Sequence, residues 1–298
     1  MKSLIPALIP GLIPASAAAL LAFSCASWAD NNTAILIQTG NGNNAVIDQT
    51  GMEGSFIVKI QQGALNESST QIASLGGKIH HEQIGQFNSA FSLQLGGEGN
   101  TSTIFQLGQG NWGSTFQVDT VNSDAIISQV GNSNTANILQ FGGSDNLATI
   151  TQVGSLHNGL IGQYGATDSD AHILQFGTAQ VATITQTGTG HLSTINQSGI
   201  ANSAHTVQFG QYNNSDIMQN GIGNAAYVSQ TSSYNSSLVT QDGVANNAMV
   251  LQEGVLGGNS AIVNQQGILN QAYISQSSAS NSATITQIGV GNEANVLQ

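Results

Sequence analysis

The chain has 298 residues, with only three Lys or Arg against fifteen Asp or Glu, and charged residues make up 6% of it. An ordinary globular domain carries about a quarter. All three prolines (Pro6, Pro10, Pro14), the single cysteine (Cys25) and Lys2 fall in the first 29 residues, and every acid lies beyond them. Beyond residue 29, two lysines (Lys59, Lys78) stand against fifteen acids, a net charge of −13. That segment has no cysteine for a disulfide scaffold, a thiolate-bound metal or a thiol nucleophile. Nor has it the basic footprint that binding nucleic acid needs.

Residues 1–29 open with Met1-Lys2, pass through an apolar run ending Ala17-Ala18-Ala19-Leu20-Leu21-Ala22-Phe23, and close on Ser27-Trp28-Ala29 before Asp30. One positive charge, a short apolar stretch and small residues three and one before a cut form a secretory signal pattern, which predicts cleavage after Ala29. A membrane anchor fits less well, because the prolines break the stretch and the apolar run after Pro14 is too short to span a bilayer. A lipoprotein cut before Cys25 would come after Ala22-Phe23-Ser24, a poor match to the usual leucine-led motif.

From Gln38 to Gln298 a glutamine recurs at twenty-four positions, a mean spacing of about 11.3 residues. The series runs through Gln49, Gln61, Gln71, Gln83 and Gln94, with loose register around Gln61–Gln83, and then regularly onward. The residues before each glutamine repeat too. Asn146-Leu-Ala148-Thr-Ile150-Thr-Gln152 and Asn281-Ser-Ala283-Thr-Ile285-Thr-Gln287 place Asn, a small residue, Ile and Gln at every second position. In a strand, alternate residues share a face. A glycine usually stands two after the glutamine, as at Gly154 and Gly188, where a turn needs positive φ. Each unit is therefore a short strand and a turn, and two units make a rung of roughly 22–23 residues that must stack on its copies to bury anything. The predicted fold is all-β: a β-solenoid of about twelve strand–turn–strand rungs in residues 30–298, with two facing parallel sheets and a length of about 57 Å.

The face carrying Ala148, Ile150, Ala283 and Ile285 is predicted to lie between the sheets. Buried amides are costly without partners, but in a stack each can bond to its copy above and below. The predicted structural ladder comprises Gln38, Gln49, Gln129, Gln140, Gln152, Gln186, Gln230, Gln252, Gln276, Gln287 and Gln298, with Asn43, Asn146, Asn246, Asn270, Asn281 and Asn292. The acids agree with that choice of face: Asp48, Asp124, Asp170, Asp216 and Glu293 fall at outward positions and Asp145, Asp168, Asp242 and Glu253 in or near turns. Only Glu67 is ambiguous.

The motif Ser/Asn, five residues, Gln-x-Gly-x-x-Asn-x-Ala, three residues, Gln resembles the curlin repeat of bacterial curli fibres. It reads here as Gln287-Ile-Gly289-x-x-Asn292-x-Ala294-x-x-x-Gln298, and the resemblance covers nearly all of residues 31–298. It implies a secreted subunit of extracellular amyloid fibres serving biofilm matrix and adhesion. The implied partners are a nucleator or co-subunit, an outer-membrane secretion channel and periplasmic accessory factors. The best-known curlin subunits have about five repeats and a non-repeat leader, whereas here about twelve repeats begin near Asn32. A minor nucleator of the same fibre is an alternative reading.

Self-association is predicted from the units themselves. Stacked repeats that stay monomeric use atypical caps, and exposed strand edges recruit strands. The unit from Asn32 to Gln38 and the unit from Asn292 to Gln298 are both regular, so these residues mark the predicted polymerising edges.

No residue set predicts catalysis, a cofactor or a metal. His80 and His81 point to opposite faces, and His157, His172, His191 and His205 are scattered. Lys59 and Lys78 lie in the loosely registered stretch and are expected to be surface lysines, with a local register break or a contact site as the alternative. Phe141, Tyr164, Phe176 and Phe209, each next after a ladder glutamine, are expected to pack over turns or to serve lateral fibre contact or adhesion. An ice-binding β-solenoid would need a continuous Thr-x-Thr column, which Thr149/Thr151, Thr183/Thr185 and Thr284/Thr286 do not form. A polysaccharide-degrading solenoid would need basic residues or convergent carboxylates. A disordered Gln/Asn-rich chain would not need Ile and Ala in fixed phase.

Overall fold

The computed structural model describes residues 19–23, 31–50, 53–254 and 257–298, and among them every element is a β-strand. In chain order the strands begin with β1 (Ala19–Phe23), β2 (Thr33–Asn41) and β3 (Asn44–Gln49) and end with β24 (Ser282–Val290) and β25 (Glu293–Leu297). From β2 onward successive strands alternate between two sheets, so that β2 begins the first and β3 the second. Twelve strands from β2–β25 lie in each sheet, with β1 as an added thirteenth in the first. All pairings after β1–β2 are parallel. The chain is a β-solenoid of two facing parallel sheets, as the period predicts.

Register tracks the repeat. Along one step of the first sheet Ala125 pairs with Ala148, Ile127 with Ile150, Gln129 with Gln152 and Gly131 with Gly154. Like therefore stacks on like, and each inward column is chemically uniform. Ala148, Ile150 and Gln152 are fully buried, while Thr149 and Thr151 on the other face are half-buried. Burying an isoleucine such as Ile150 contributes roughly 1.5–3 kcal/mol.

The strands run longer than the predicted short unit and continue past the glycine, as in Leu147–Ser155. The reason is that the glycine still forms ladder bonds. Gly154 sits at φ 131, and a Cβ there would collide with the carbonyl oxygen of Gly177 one rung on. Glycine is needed both for its positive φ and to let neighbouring rungs come this close. The turn proper is made two residues later by a second left-handed residue, usually not glycine: Asp145 (φ 55), Leu156 (φ 60), Ala179 (φ 57) and Tyr212 (φ 52). Each is held by a bond to the rung before, such as Leu156 N–H to the carbonyl of Asn132 at 3.1 Å. These contacts offset the strain of a non-glycine left-handed residue.

Two features depart from the predicted regularity. First, β1 lies antiparallel on β2, pairing Ala19 with Gln38 and Phe23 with Ala34. The predicted polymerising edge from Asn32 to Gln38 is thus partly covered, because an unpaired strand edge accepts any extended segment within reach. The rest of the proposed signal, residues 1–18 and 24–29, lies outside the described residues. Second, the register slips in the strand Glu67–Leu75, where Gln49 pairs with Ile72 rather than with Gln71. Gln71 turns outward and donates to Asp48 Oδ2 at 3.3 Å, while Ile72 is buried.

Candidate functional site

The interior of the solenoid is an amide-lined seam. In the first sheet the glutamine side chains from Gln38 to Gln287 form one unbroken chain, including Gln38 to Gln61 at 2.7 Å, Gln129 to Gln152 at 2.9 Å and Gln265 to Gln287 at 2.9 Å. In the second sheet the chain runs from Gln94 to Gln298, through Gln117 to Gln140 at 2.8 Å, Gln163 to Gln186 at 2.9 Å, Gln230 to Gln252 at 2.9 Å and Gln276 to Gln298 at 3.1 Å. Every link has the same sense: Nε2 donates toward the C-terminal end. The second Nε2 hydrogen crosses the seam to a backbone carbonyl of the other sheet, as from Gln152 to Thr135 at 2.8 Å. Amides buried in this way have their hydrogen-bonding needs met, which is what burial of a polar group requires.

Gln49 does not join this ladder. Its neighbour is Ile72, and its Nε2 goes to the carbonyls of Thr33 at 3.1 Å and Ser55 at 3.3 Å. On the other side of the break, Gln94 Oε1 is buried with no partner. The slip therefore costs one bond on each side of Ile72.

The asparagines do more than the predicted amide stacking. Asn111 Oδ1 accepts from the backbone N–H of Asn134 at 3.1 Å as well as from its amide at 3.1 Å, while Asn111 Nδ2 donates to the carbonyl of Gly131 at 2.9 Å. They satisfy the turn backbone of the next rung. Asn43, Asn246 and Asn270 share this pattern, as with Asn270 to Asn246 at 3.0 Å, and Asn292 on the last rung makes only the donor half, to Asn270 at 2.9 Å. Asn146 and Asn281 do not stack on an amide donor. Asn146 lies between Ser123 and Ser169 and binds their backbone and hydroxyl groups, and Asn281 Nδ2 turns back to Ser278.

Two histidines stand in for asparagine. His157 Nδ1 accepts from the N–H of Gln180 at 3.3 Å and its Nε2 donates to the carbonyl of Val153 at 3.2 Å. His191 does the same with Asn213 at 3.4 Å and Thr187 at 3.0 Å. This geometry needs the neutral ring, and burial pushes both rings below the usual histidine value.

Lys59 corrects the expectation of a surface lysine. It sits in the isoleucine column between Leu36 and His81, fully buried. Its ammonium donates to the carbonyl of Val46, and to that of Ser68 at 2.9 Å, bridging the two sheets. Desolvation pulls its pKa down to about 7. His81, also buried, bonds Ser68 Oγ at 2.8 Å and Ser92 Oγ at 2.6 Å and is held well below its usual value by burial, then by Lys59 and His80. The chain of hydroxyls continues from Ser92 to Ser102 at 2.8 Å and from Ser102 to Thr115 at 2.6 Å. This polar band divides the core: Ile57, Ile72 and Ile79 form one cluster, and the rest run on from Ala90 and Ile104. Lys78 lies on the exposed face, as do the acids Asp124 and Asp242.

At the C-terminal end β24 and β25 pair with earlier strands on one side only. Their residues match the N-terminal rung position by position: Ala283, Ile285, Gln287 and Gly289 against Ala34, Leu36, Gln38 and Gly40, and Ala294, Val296 and Gln298 against Ala45, Ile47 and Gln49.

A family model for the curlin associated repeat matches residues 29–59, 143–167, 166–199 and 258–289. The chain is a curlin-repeat protein. It has no match among curated proteins. The curlin-repeat register in the structure also runs through segments between the matched regions, as in the pairing of the strand Thr101–Gln109 with Asp124–Asn132. Curlin repeats are structural units, so the seam is a candidate assembly interface and this is a curli-related subunit. Among the described residues, no three His, Cys, Asp or Glu side chains cluster as metal ligands.

Proposed function

We propose that this protein is a structural subunit of an extracellular curli-type fibre that grows by stacking the C-terminal rung of one copy on the N-terminal rung of the next. The observation that carries this reading is the match between the end rungs combined with the polarity of the ladder. Gln287 presents an amide donor at one end, and Gln38 an amide oxygen at the other. The contact continues every inward column and is head-to-tail, so it does not close. Biofilm matrix and surface adhesion are the roles that fit such a fibre, with a nucleator, an outer-membrane channel and periplasmic factors as partners.

In this reading residues 1–29 are a signal removed on export, and their removal uncovers β2. Purified residues 30–298 are then expected to form fibres with reflections near about 4.7 Å and about 10 Å. A monodisperse monomer that persists for days at high concentration overturns the proposal. Adding the protein in trace amounts to a partner subunit separates major subunit from nucleator: a nucleator shortens the lag out of proportion to its mass.

A further inference from the structure

The two outer faces of the solenoid differ in charge. On the first sheet the outward positions carry Glu82, Asp124, Asp170, Asp216 and Asp242. On the second sheet, the seven strands from Ser89–Glu98 to Ala225–Ser233 carry no Asp, Glu or Lys at the outward positions between the start of each strand and the residue after its ladder glutamine. The ionisable side chains there are His205, Tyr164 and Tyr227. His205 stacks on Tyr227 with centroids 5.4 Å apart, and burial lowers its pKa and keeps it neutral.

That face carries aromatics among small hydroxyl and amide side chains. Phe91 meets Phe116 at 5.2 Å, and Phe141 and Tyr164 stack at 5.9 Å with planes 2° apart. Gly162 has no side chain because the Tyr164 ring lies over it, where a Cβ would collide with the ring. Trp112, Phe141, Tyr164 and Phe209 remain 38–48% exposed.

We infer that this face of the second sheet is the lateral contact of the protein, and that its partner is the same face of a second copy. Charge selects the partner. Each copy carries a net charge near −13, so two copies repel through the first sheet, whereas through the second the facing strand positions are uncharged and the acids Glu98, Asp119, Asp145 and Asp168 stay at the turn edge. The size of the face agrees. Seven strands at ~4.8 Å, each about 23 Å wide, present roughly 800 Å² per copy, or roughly 1,600 Å² for the pair, which is the size of a standard specific interface. Two such sheets pack face to face about 10 Å apart, related by a two-fold axis. This inference rests on the fibre reading for its setting, yet the contact needs only a folded solenoid.

The test compares Phe141→Asp/Tyr164→Asp with Leu107→Asp/Phe176→Asp, an equal charge change on the first sheet. Filament width by electron microscopy and the mass of unstacked chains by sedimentation equilibrium are measured in full-length and processed protein. Wild type and the first-sheet variant are expected to give filaments two solenoids wide and a dimer in solution. The second-sheet variant is expected to give single-width filaments and a dimer at least tenfold weaker, with unchanged β-sheet circular dichroism. Single-width filaments and no dimer in wild type overturn the inference, as does pairing that survives in the second-sheet variant. If end-to-end growth fails but the dimer and its loss are seen, the fibre reading falls and the lateral contact stands. Wild-type filaments that stay single and instead bind polysaccharide through this face assign the aromatics to another occupant and overturn the proposal.

Discussion

A single glutamine in the seam has three bonded neighbours, and these set the cost of changing it. Gln152 accepts from Gln129 and donates to Gln175 and to the Thr135 carbonyl. Gln152→Lys leaves the neighbouring amides unpaired and buries a charge, a cost of several kcal/mol. Thr151→Lys changes a half-buried outward residue. In seeded growth assays the first is expected to slow elongation at least tenfold and the second to change it by less than threefold. The histidines give a prediction in pH. His157 and His191 have folded pKa values below the unfolded 6.5, so their contribution is complete above pH 6.5 and is lost as pH falls through the folded values. Replacing both with Asn is expected to flatten the acid limb of a denaturation midpoint measured from pH 7 to pH 4, with little change at pH 7.

At the scale of strands, the N-terminal rungs are the weaker part. Lys59 has a folded pKa of about 7 against 10.5 unfolded, so its presence costs stability progressively as pH falls from 10.5 to 7, and that cost is then constant. Lys59→Ile extends the apolar column from Leu36 up to His81 and is expected to stabilise the first rungs by roughly 1–4 kcal/mol near neutral pH, read by hydrogen exchange of β2 and of the strand Phe56–Ala64. The strands and their inward faces were legible in the sequence because Asn, Ala, Ile and Gln keep a period of two across every unit, and a sheet face needs nothing more. Alternation also placed Lys59 inward, two before Gln61. The general preference of lysine for solvent pointed the other way, and it failed because two backbone carbonyls and a depressed pKa make the burial tolerable. The slip at Gln71 was harder to see. Gln71 and Ile72 are adjacent, and exchanging them exchanges faces. The signal was there in the spacing: 23 residues after Gln49 is Ile72. What the sequence did not show was the use of asparagine, since the bonds from Asn111 to the next turn depend on a left-handed residue whose identity varies from Asp145 to Leu156.

For the whole molecule, the arrangement of β1 sets an order of events. An antiparallel strand on β2 pairs its backbone but cannot extend the glutamine chain. Protein retaining residues 1–29 is therefore expected to elongate more slowly than residues 30–298, by fivefold or more when monomer is added to preformed seeds and growth is monitored by dye fluorescence. Equal rates would mean that β1 leaves the edge as readily as solvent does.

The break in the second-sheet ladder between Gln49 and Gln94 also bears on mechanics. A pull along the long axis loads the rungs in series, and within each layer the backbone and side-chain bonds share the force. A series fails at its weakest layer. The layers beside Ile72 lack one amide link and lie next to the polar band, so rupture under tension falls there, near the start of each copy. A strained fibre would then shed pieces of whole-subunit length, each with a fresh end able to resume growth.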